Sequence, residues 1–263
     1  MSTLRSRELA NWYDFPQYFD MVFRDETAAE VDFFLAAFER FADGPVKRVF
    51  EPGCGSGRLV TAMASEGFDV TGIDLNVPSL NYLRNKLKRR GLNATLTQAD
   101  FTNLDLPGTF DAAFCTFNTF RHLTDEKSAV SHLKSVAAQL RSGGLYILGL
   151  HIIPLDAEKQ CIERWKAAHG VTTVNVTLRV TDFNRRKRIE QIHVVLTARS
   201  PGKTIRCRTD FPLRLYTVKQ FMQTLAAVPE LEIVGSYDFN YDLESPREID
   251  DDLIDSVFVL KKR

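Results

Sequence analysis

The sequence holds only four cysteines, Cys54, Cys115, Cys161 and Cys207, far apart and with no CxxC pair or Cys/His cluster. This argues against a disulfide scaffold and structural zinc, and for reduced thiols in a cytoplasm. Long apolar runs are missing as well: charges interrupt every hydrophobic stretch, so no segment reads as a bilayer span. No apolar signal core follows the opening residues Met1 to Glu8. Charge of one sign is also lacking, since 34 Lys plus Arg balance 34 Asp plus Glu. A chain-wide basic field for nucleic acid is therefore absent, although neutrality on average leaves room for a local patch. Internal repeats and low-complexity segments are absent too.

What is present is core-forming material. Hydrophobic residues make up 44% of 263, which suits one large domain or a domain carrying a sizeable insertion. Residues 8–42 read as helical, with Val31, Phe34, Leu35, Phe38 and Phe41 at helical spacing and Glu30, Asp32 and Glu39 between them. Asp43-Gly44-Pro45 ends that stretch. Next come a strand (46–51), a helix (59–66), a strand (69–74), a helix (79–90), strands (94–99 and 110–116), a helix (126–140) and a strand (145–151). Such alternation implies parallel pairing through crossovers, hence an α/β doubly wound sheet. Beyond about residue 170 the pattern changes. Segments 171–181, 188–199 and 204–215 are rich in β-branched residues and predict an antiparallel meander of three strands. A helix over 217–228, N-capped by Thr217, and strands over 231–237 and 256–260 complete the chain.

The chemistry-bearing segment is Val49-Phe-Glu-Pro-Gly-Cys-Gly-Ser-Gly-Arg58. A glycine-rich turn between strand and helix lets the backbone approach a nucleotide where any Cβ would collide. Gly53, Gly55 and Gly57 give GxGxG, whereas the dinucleotide fingerprint is GxGxxG. Glu51, at the strand end, would repel a pyrophosphate but attract the ammonium and sulfonium of S-adenosyl-L-methionine. Asp74 closes the next strand, where it can accept from both ribose hydroxyls, a feature shared with nicotinamide enzymes. Asp100 ends the third strand and can accept from an adenine amino group, with Phe101 packed along the ring.

Together these residues resemble the class I S-adenosylmethionine-dependent methyltransferase superfamily. Its first motif is similar to Glu51-x-Gly-x-Gly-x-Gly57, its ribose-binding acid to Asp74 in Gly72-Ile-Asp74, and its adenine-side acid to Asp100. Phe110-Asp-Ala-Ala-Phe-Cys-Thr-Phe-Asn118 resembles the fourth motif, and Leu140-Arg-Ser-Gly-Gly-Leu-Tyr-Ile-Leu148 the start of the fifth strand. The likeness covers residues 46–151 in order and spacing. A looser likeness links Trp12 to Arg24, and Leu213-Arg-Leu-Tyr-Thr217, to small-molecule members such as amino-sugar N-methyltransferases. The resemblance implies a Rossmann-like sheet of seven strands with the last antiparallel, plus a lid and an insert. The expected organisation is a helical lid over 1–42, a cofactor-binding core over 43–165, an antiparallel β insert over 166–215 and completion of the core sheet over 216–263. Cofactor contacts are expected from Glu51, Gly53, Cys54 and Gly55 on the turn, from Asp74 and Leu75, and from Asp100 and Phe101.

Methyl transfer from a sulfonium is an in-line displacement of an already activated group, so no diagnostic catalytic triad is expected. Asn118 and His122 follow the fourth strand at its carboxyl end. They are the catalytic candidates, His122 as a base and Asn118 as a holder of backbone or acceptor, with Phe117 a further cofactor contact. Loop capping is the competing reading for Asn118. Tyr13, Tyr18 and Arg24 are candidates to close over the cofactor, the arginine on its carboxylate; simple core packing competes for the tyrosines. His151 ends the fifth strand at the ligand edge. In the insert, Glu190, Ile192, Val194 and Leu196 share one face, and Gln191, His193 and Thr197 the other. Arg206, Arg208 and Arg214 alternate so as to line one side, either toward an anionic acceptor or as a solvated edge. The run Arg185-Arg-Lys-Arg188 reads as a solvated hairpin tip.

The leading expectation is a cytoplasmic methyltransferase with S-adenosyl-L-methionine as cofactor and a small-molecule acceptor methylated on N or O. No metal, nucleic acid or membrane partner is expected, and the residues leave monomer and homodimer open. A nicotinamide-dependent oxidoreductase, a non-catalytic S-adenosylmethionine-binding protein and a methyltransferase acting on RNA or protein stay open as alternatives.

Overall fold

The computed structural model describes residues 11–159 and 161–263. The expectation of helix over 8–10 lies outside the described residues. Two short 3₁₀ turns, Trp12–Asp14 and Arg24–Glu26, flank helix α1 (Pro16–Val22), and helix α2 (Thr27–Phe41) follows. The core then alternates β1 (Arg48–Pro52), α3 (Arg58–Ser65), β2 (Asp69–Asp74), α4 (Val77–Arg90), β3 (Thr95–Gln98), β4 (Phe110–Cys115), α5 (Glu126–Gln139) and β5 (Leu140–His151). Four strands form the insert: β6 (Ile162–His169), β7 (Thr172–Asn184), β8 (Ile189–Ser200) and β9 (Lys203–Arg214). Helix α6 (Val218–Ala226), β10 (Leu231–Asp238) and β11 (Asp255–Lys262) close the chain.

Seven strands make the main sheet in the order β10-β11-β5-β4-β1-β2-β3. Neighbours from β5 to β3 run parallel, while β11 pairs antiparallel with both β5 and β10. Both faces are covered, so the strands are apolar on both sides. Val49, Ala112, Phe114 and Ile147 face α2, α3 and α4; Phe50, Ala113, Cys115 and Leu148 face α5 and α6. Helix α2 is thus a layer of the core: Phe34 stacks on Phe114 with ring centroids 5.0 Å apart. Only the chain before it, Trp12 to Phe23, leaves the main sheet and packs on the insert.

Two corrections follow. The insert has four strands rather than three, and the extra strand, β6, straddles the boundary expected at residue 166. Its sequence, Ile-Glu-Arg-Trp-Lys-Ala-Ala-His, is poor in β-branched residues, and it is an edge strand held by pairing with β7. Leu140, expected to end a helix, instead opens β5. The alternation expected on β8 is observed: Glu190, Ile192, Val194, Leu196 and Ala198 are buried.

Candidate functional site

The site forms where the sheet order reverses, between the carboxyl ends of β1 and β4, as in other doubly wound sheets. The turn after β1 is built by glycines in the left-handed region, with Gly53 at φ +72°. A Cβ on Gly53 would overlap Cγ2 of Thr119 and come within 3.7 Å of Phe101, so the turn approaches the loop after β4 more closely than any residue but glycine allows. Asp74 Oδ2 accepts from the Gly55 N–H at 2.7 Å and Oδ1 from that of Asn76 at 2.7 Å, which ties the ends of β1 and β2 together. Burial raises the Asp74 carboxyl somewhat, against those backbone bonds.

Glu51 is buried, and its Oε2 has no hydrogen-bond partner among the described residues. Burial pushes its carboxyl well above the ordinary range, with the Arg58 charge opposing. Arg58, the residue after the third glycine, turns away to pair with Glu30 of α2, and it donates to Thr27 Oγ1 at 3.0 Å. Its guanidinium also lies 5.1 Å from the Phe117 ring centroid. Glu30 is fully buried and accepts from the Tyr241 hydroxyl at 3.2 Å. That cation is therefore committed elsewhere, and although the Val60 backbone N–H also opposes the effect of burial, Glu51 Oε2 is left without a partner among the described residues.

Across the cleft, β4 ends in two consecutive left-handed residues, Phe117 and Asn118, at φ +56° and +65°. Asn118 uses Oδ1 to accept from the His151 N–H at 2.8 Å and from Arg121 at 3.3 Å, so its carbonyl oxygen braces the loop. His122 Nε2 lies 3.4 Å from the Tyr13 hydroxyl. Solvent reaches the ring, but the surrounding protein, and then the Arg121 charge, pull the imidazole down to about 4. Burial keeps the Tyr13 hydroxyl protonated, and Asp74 is close enough to reinforce this. Tyr13 thus lies near both Asp74 and His122.

Not every expected residue gathers here. The Cys54 side chain turns into the core and its N–H is spent on Ile73 O at 2.8 Å. Tyr18 stacks on Phe15 within the aromatic layer under the insert. Arg24 is exposed, close enough for its charge to act on Tyr82 and Lys86. Asp100 is exposed and closes a turn onto the Thr102 N–H at 2.8 Å. Leu75, by contrast, is a large apolar side chain 58% exposed directly after Asp74. His151 faces Asp255 at 3.3 Å and lies 5.4 Å from the Phe239 ring. Arg206, Arg208 and Arg214 keep one register on β9 without a bulge, but Arg206 and Arg208 are exposed, whereas Arg214 is buried and paired with Glu126.

Residues outside the sequence expectations also hold the site. Buried Asp20 of α1 accepts from Lys86 at 2.7 Å and from the Tyr82 hydroxyl at 3.0 Å, which docks the N-terminal segment on α4. Buried Arg121 pairs with Glu190 and donates to Arg214 O at 2.8 Å, which joins the loop after β4 to the insert. Arg58 had a visible signal, its place directly after the glycines. The Asp20 and Glu190 partners had none.

Comparison with known proteins bears on this arrangement. Residues 49–144 match the family model described as a methyltransferase domain. Glycine N-methyltransferase of Homo sapiens is 33% identical over 117 residues, covering 39% of this chain and 40% of that protein. This chain spans about 40% of the length of the curated relatives it matches. An S-adenosylmethionine-dependent methyltransferase from Clostridium acetobutylicum superposes with a TM-score of 0.78 at 16% identity, covering 95% of this chain and 98% of that one. CalS10, an amino pentose methyltransferase from Micromonospora echinaspora, superposes at 0.71 with 19% identity and full coverage of both chains, 100% each. At such identities the superpositions establish the fold. Residues 49–144 thus resemble a methyltransferase domain, set in a chain whose Rossmann-like fold is shared with these solved methyltransferases.

Proposed function

We propose that this chain is an S-adenosyl-L-methionine-dependent methyltransferase that methylates N or O of a small-molecule acceptor. The observation that carries the reading is the unpartnered, buried Glu51 oxygen beside the left-handed glycine turn and Asp74. Those three features fit a ligand with an ammonium group, a close-lying backbone and ribose hydroxyls, and a pyrophosphate would meet only repulsion at Glu51. When bound, the cofactor supplies a methyl group already activated for displacement.

The chain's own residues do the rest. Glu51 would take the ammonium, and the Asp74 lone pairs not used by Gly55 and Asn76 would hold the ribose hydroxyls. Leu75 and Phe101 offer apolar surface for the base. Tyr13 and Phe117 close the cleft from two sides and exclude water. An imidazole held at about 4 is a weak base. His122 therefore serves better to orient the acceptor's lone pair through a neutral hydrogen bond than to strip a strongly held proton. Asn118 shapes the loop that carries it. The solved neighbours, among them an amino pentose methyltransferase, support a small acceptor.

Calorimetric titration with S-adenosylmethionine, its demethylated product and NADH, repeated on Asp74→Ala, tests the reading. Binding of both sulfur compounds that is lost in the variant is the expected result. Binding of NADH with no response to either sulfur compound would overturn it.

A further inference from the structure

Away from the cleft, the junction of insert and core contains a recess of about 60 Å³ lined by Ile153, Arg185, Arg188, Tyr216, Thr217 and Gln220 among others. Sequence reasoning placed Arg185 and Arg188 on a solvated hairpin tip. In the structure both fold back onto the core. Arg185 donates to Pro154 O at 2.7 Å, and Arg188, at φ +57°, donates through Nε to Leu215 O at 3.3 Å.

Donors outnumber acceptors at this junction. Arg188 and Arg214 both pair with Glu126, which also accepts from Thr224 at 2.6 Å, so one carboxylate serves two guanidinium groups and a hydroxyl. The guanidinium of each arginine lies 5.0 Å from the Tyr216 ring centroid. Even so, Arg188 Nη2, Arg214 Nε and Nη1, and the Tyr216 hydroxyl are buried without a hydrogen-bond partner among the described residues. Tyr216 has no exposed surface and lines the recess, as does Arg188. Burial keeps its hydroxyl protonated, pushed up to about 12, so it is available as a donor. Buried donors without acceptors are costly, and the cost is greatest for charged groups. Both charged side chains that line the recess, Arg185 and Arg188, are cations.

We propose that this recess is a binding site for one small tetrahedral oxyanion of the phosphate class, separate from the methyl-transfer cleft. Such an ion presents several acceptor oxygens to diverging N–H and O–H donors, and guanidinium groups suit it geometrically. A cavity of this size holds a few waters or one such ion. The site sits one residue layer from the cleft, because Arg214 O accepts from Arg121, which braces Asn118. Occupancy would thus stiffen the seam between insert and core.

The test uses the full chain and inorganic phosphate, followed by calorimetry and by thermal unfolding, with Tyr216→Phe and Arg188→Gln as variants. Phosphate is expected to bind and to raise the unfolding temperature of the parent protein by mass action. Each variant is expected to weaken that binding about tenfold or more, since each removes a hydrogen bond to a charged ligand. Tyr216→Phe loses only an unpartnered hydroxyl, so without phosphate it is expected to fold at least as stably as the parent. S-adenosylmethionine affinity, measured in parallel, stays unchanged in both variants. Methyl phosphate, titrated beside inorganic phosphate, separates the sources: tighter binding of the ester assigns the recess to a phosphate monoester, and the reverse to the free ion. Absence of phosphate binding to the parent, or binding that neither variant weakens, overturns the proposal.

Discussion

The hydroxyl of Tyr13 stands 3.4 Å from Nε2 of His122, across 109 residues of chain. One partner comes from the segment that packs under the insert, the other from the loop after β4, so the contact exists only when the two units are docked. Tyr13 also lies near Asp74. A single side chain therefore touches His122 and senses the Asp74 carboxylate.

This geometry makes His122 and Tyr13 separable in kinetics. His122→Ala is expected to lower kcat by about 10²-fold with cofactor affinity unchanged, because the loss is one of acceptor alignment. Tyr13→Phe, which keeps the ring and its packing, is expected to cost less in kcat. Steady-state rates with calorimetric affinities check this, and a His122→Ala protein with full turnover would remove the residue from the site.

The Asp20–Lys86 pair predicts a stability effect at a distance from any chemistry. Its two side chains are 10% and 9% exposed, and burial lowers the Lys86 amine despite Asp20. Asp20→Ala leaves a buried ammonium and the Tyr82 hydroxyl without their acceptor, for an expected loss of about 3–5 kcal/mol. Asp20→Asn keeps an oxygen for Tyr82 and should lose less. Urea unfolding of both variants decides the matter; a loss below about 1 kcal/mol would rank the pair with solvent-screened surface bridges.

His132 predicts acid sensitivity. The ring is fully buried, with Nδ1 2.9 Å from Phe101 O and Nε2 2.7 Å from the Tyr146 hydroxyl. A carbonyl only accepts, so Nδ1 carries the proton and Nε2 accepts from the tyrosine. Burial pulls this histidine down from 6.5 to about 4. Between those values the unfolded chain binds the extra proton and the folded chain does not, so stability falls as pH drops from 6.5 toward 4. The shift is worth up to about 3 kcal/mol across that window. Unfolding free energy measured against pH should show a shallower acid slope in His132→Asn, and an unaltered slope would contradict the assignment.

Glu51 predicts a trade between stability and binding. Its folded-state carboxyl is raised, so its contribution is full at low pH and is lost as pH rises through the carboxylate range. Glu51→Gln removes that loss. The variant without cofactor is expected to gain about 1 kcal/mol near neutral pH while its affinity for S-adenosylmethionine falls about tenfold or more. Thermal melts with and without the cofactor check both halves. A variant that binds as well as its parent would rule Glu51 out as the ammonium partner.

The parts of this molecule legible in the sequence are those written in local rules. Strand–helix alternation, the left-handed glycines at Gly53 to Gly57 and the acid closing β2 each depend on a few neighbouring residues, and each lies where expected. The two-residue period of β8 is equally local, and the residues expected to share a face are buried together. What stayed hidden depends on partners far along the chain. The edge strand β6 has little strand character of its own and takes its backbone bonds from β7. The left-handed turn at Phe117–Asn118 carries no glycine; it is held by a hydrogen bond to His151. Arg58 follows the glycine motif but is claimed by Glu30 of a helix that precedes the sheet, while Arg214, in one row with exposed Arg206 and Arg208, is buried against Glu126. A buried charge settles wherever an opposite charge can be brought to it, and only the closed fold chooses that partner.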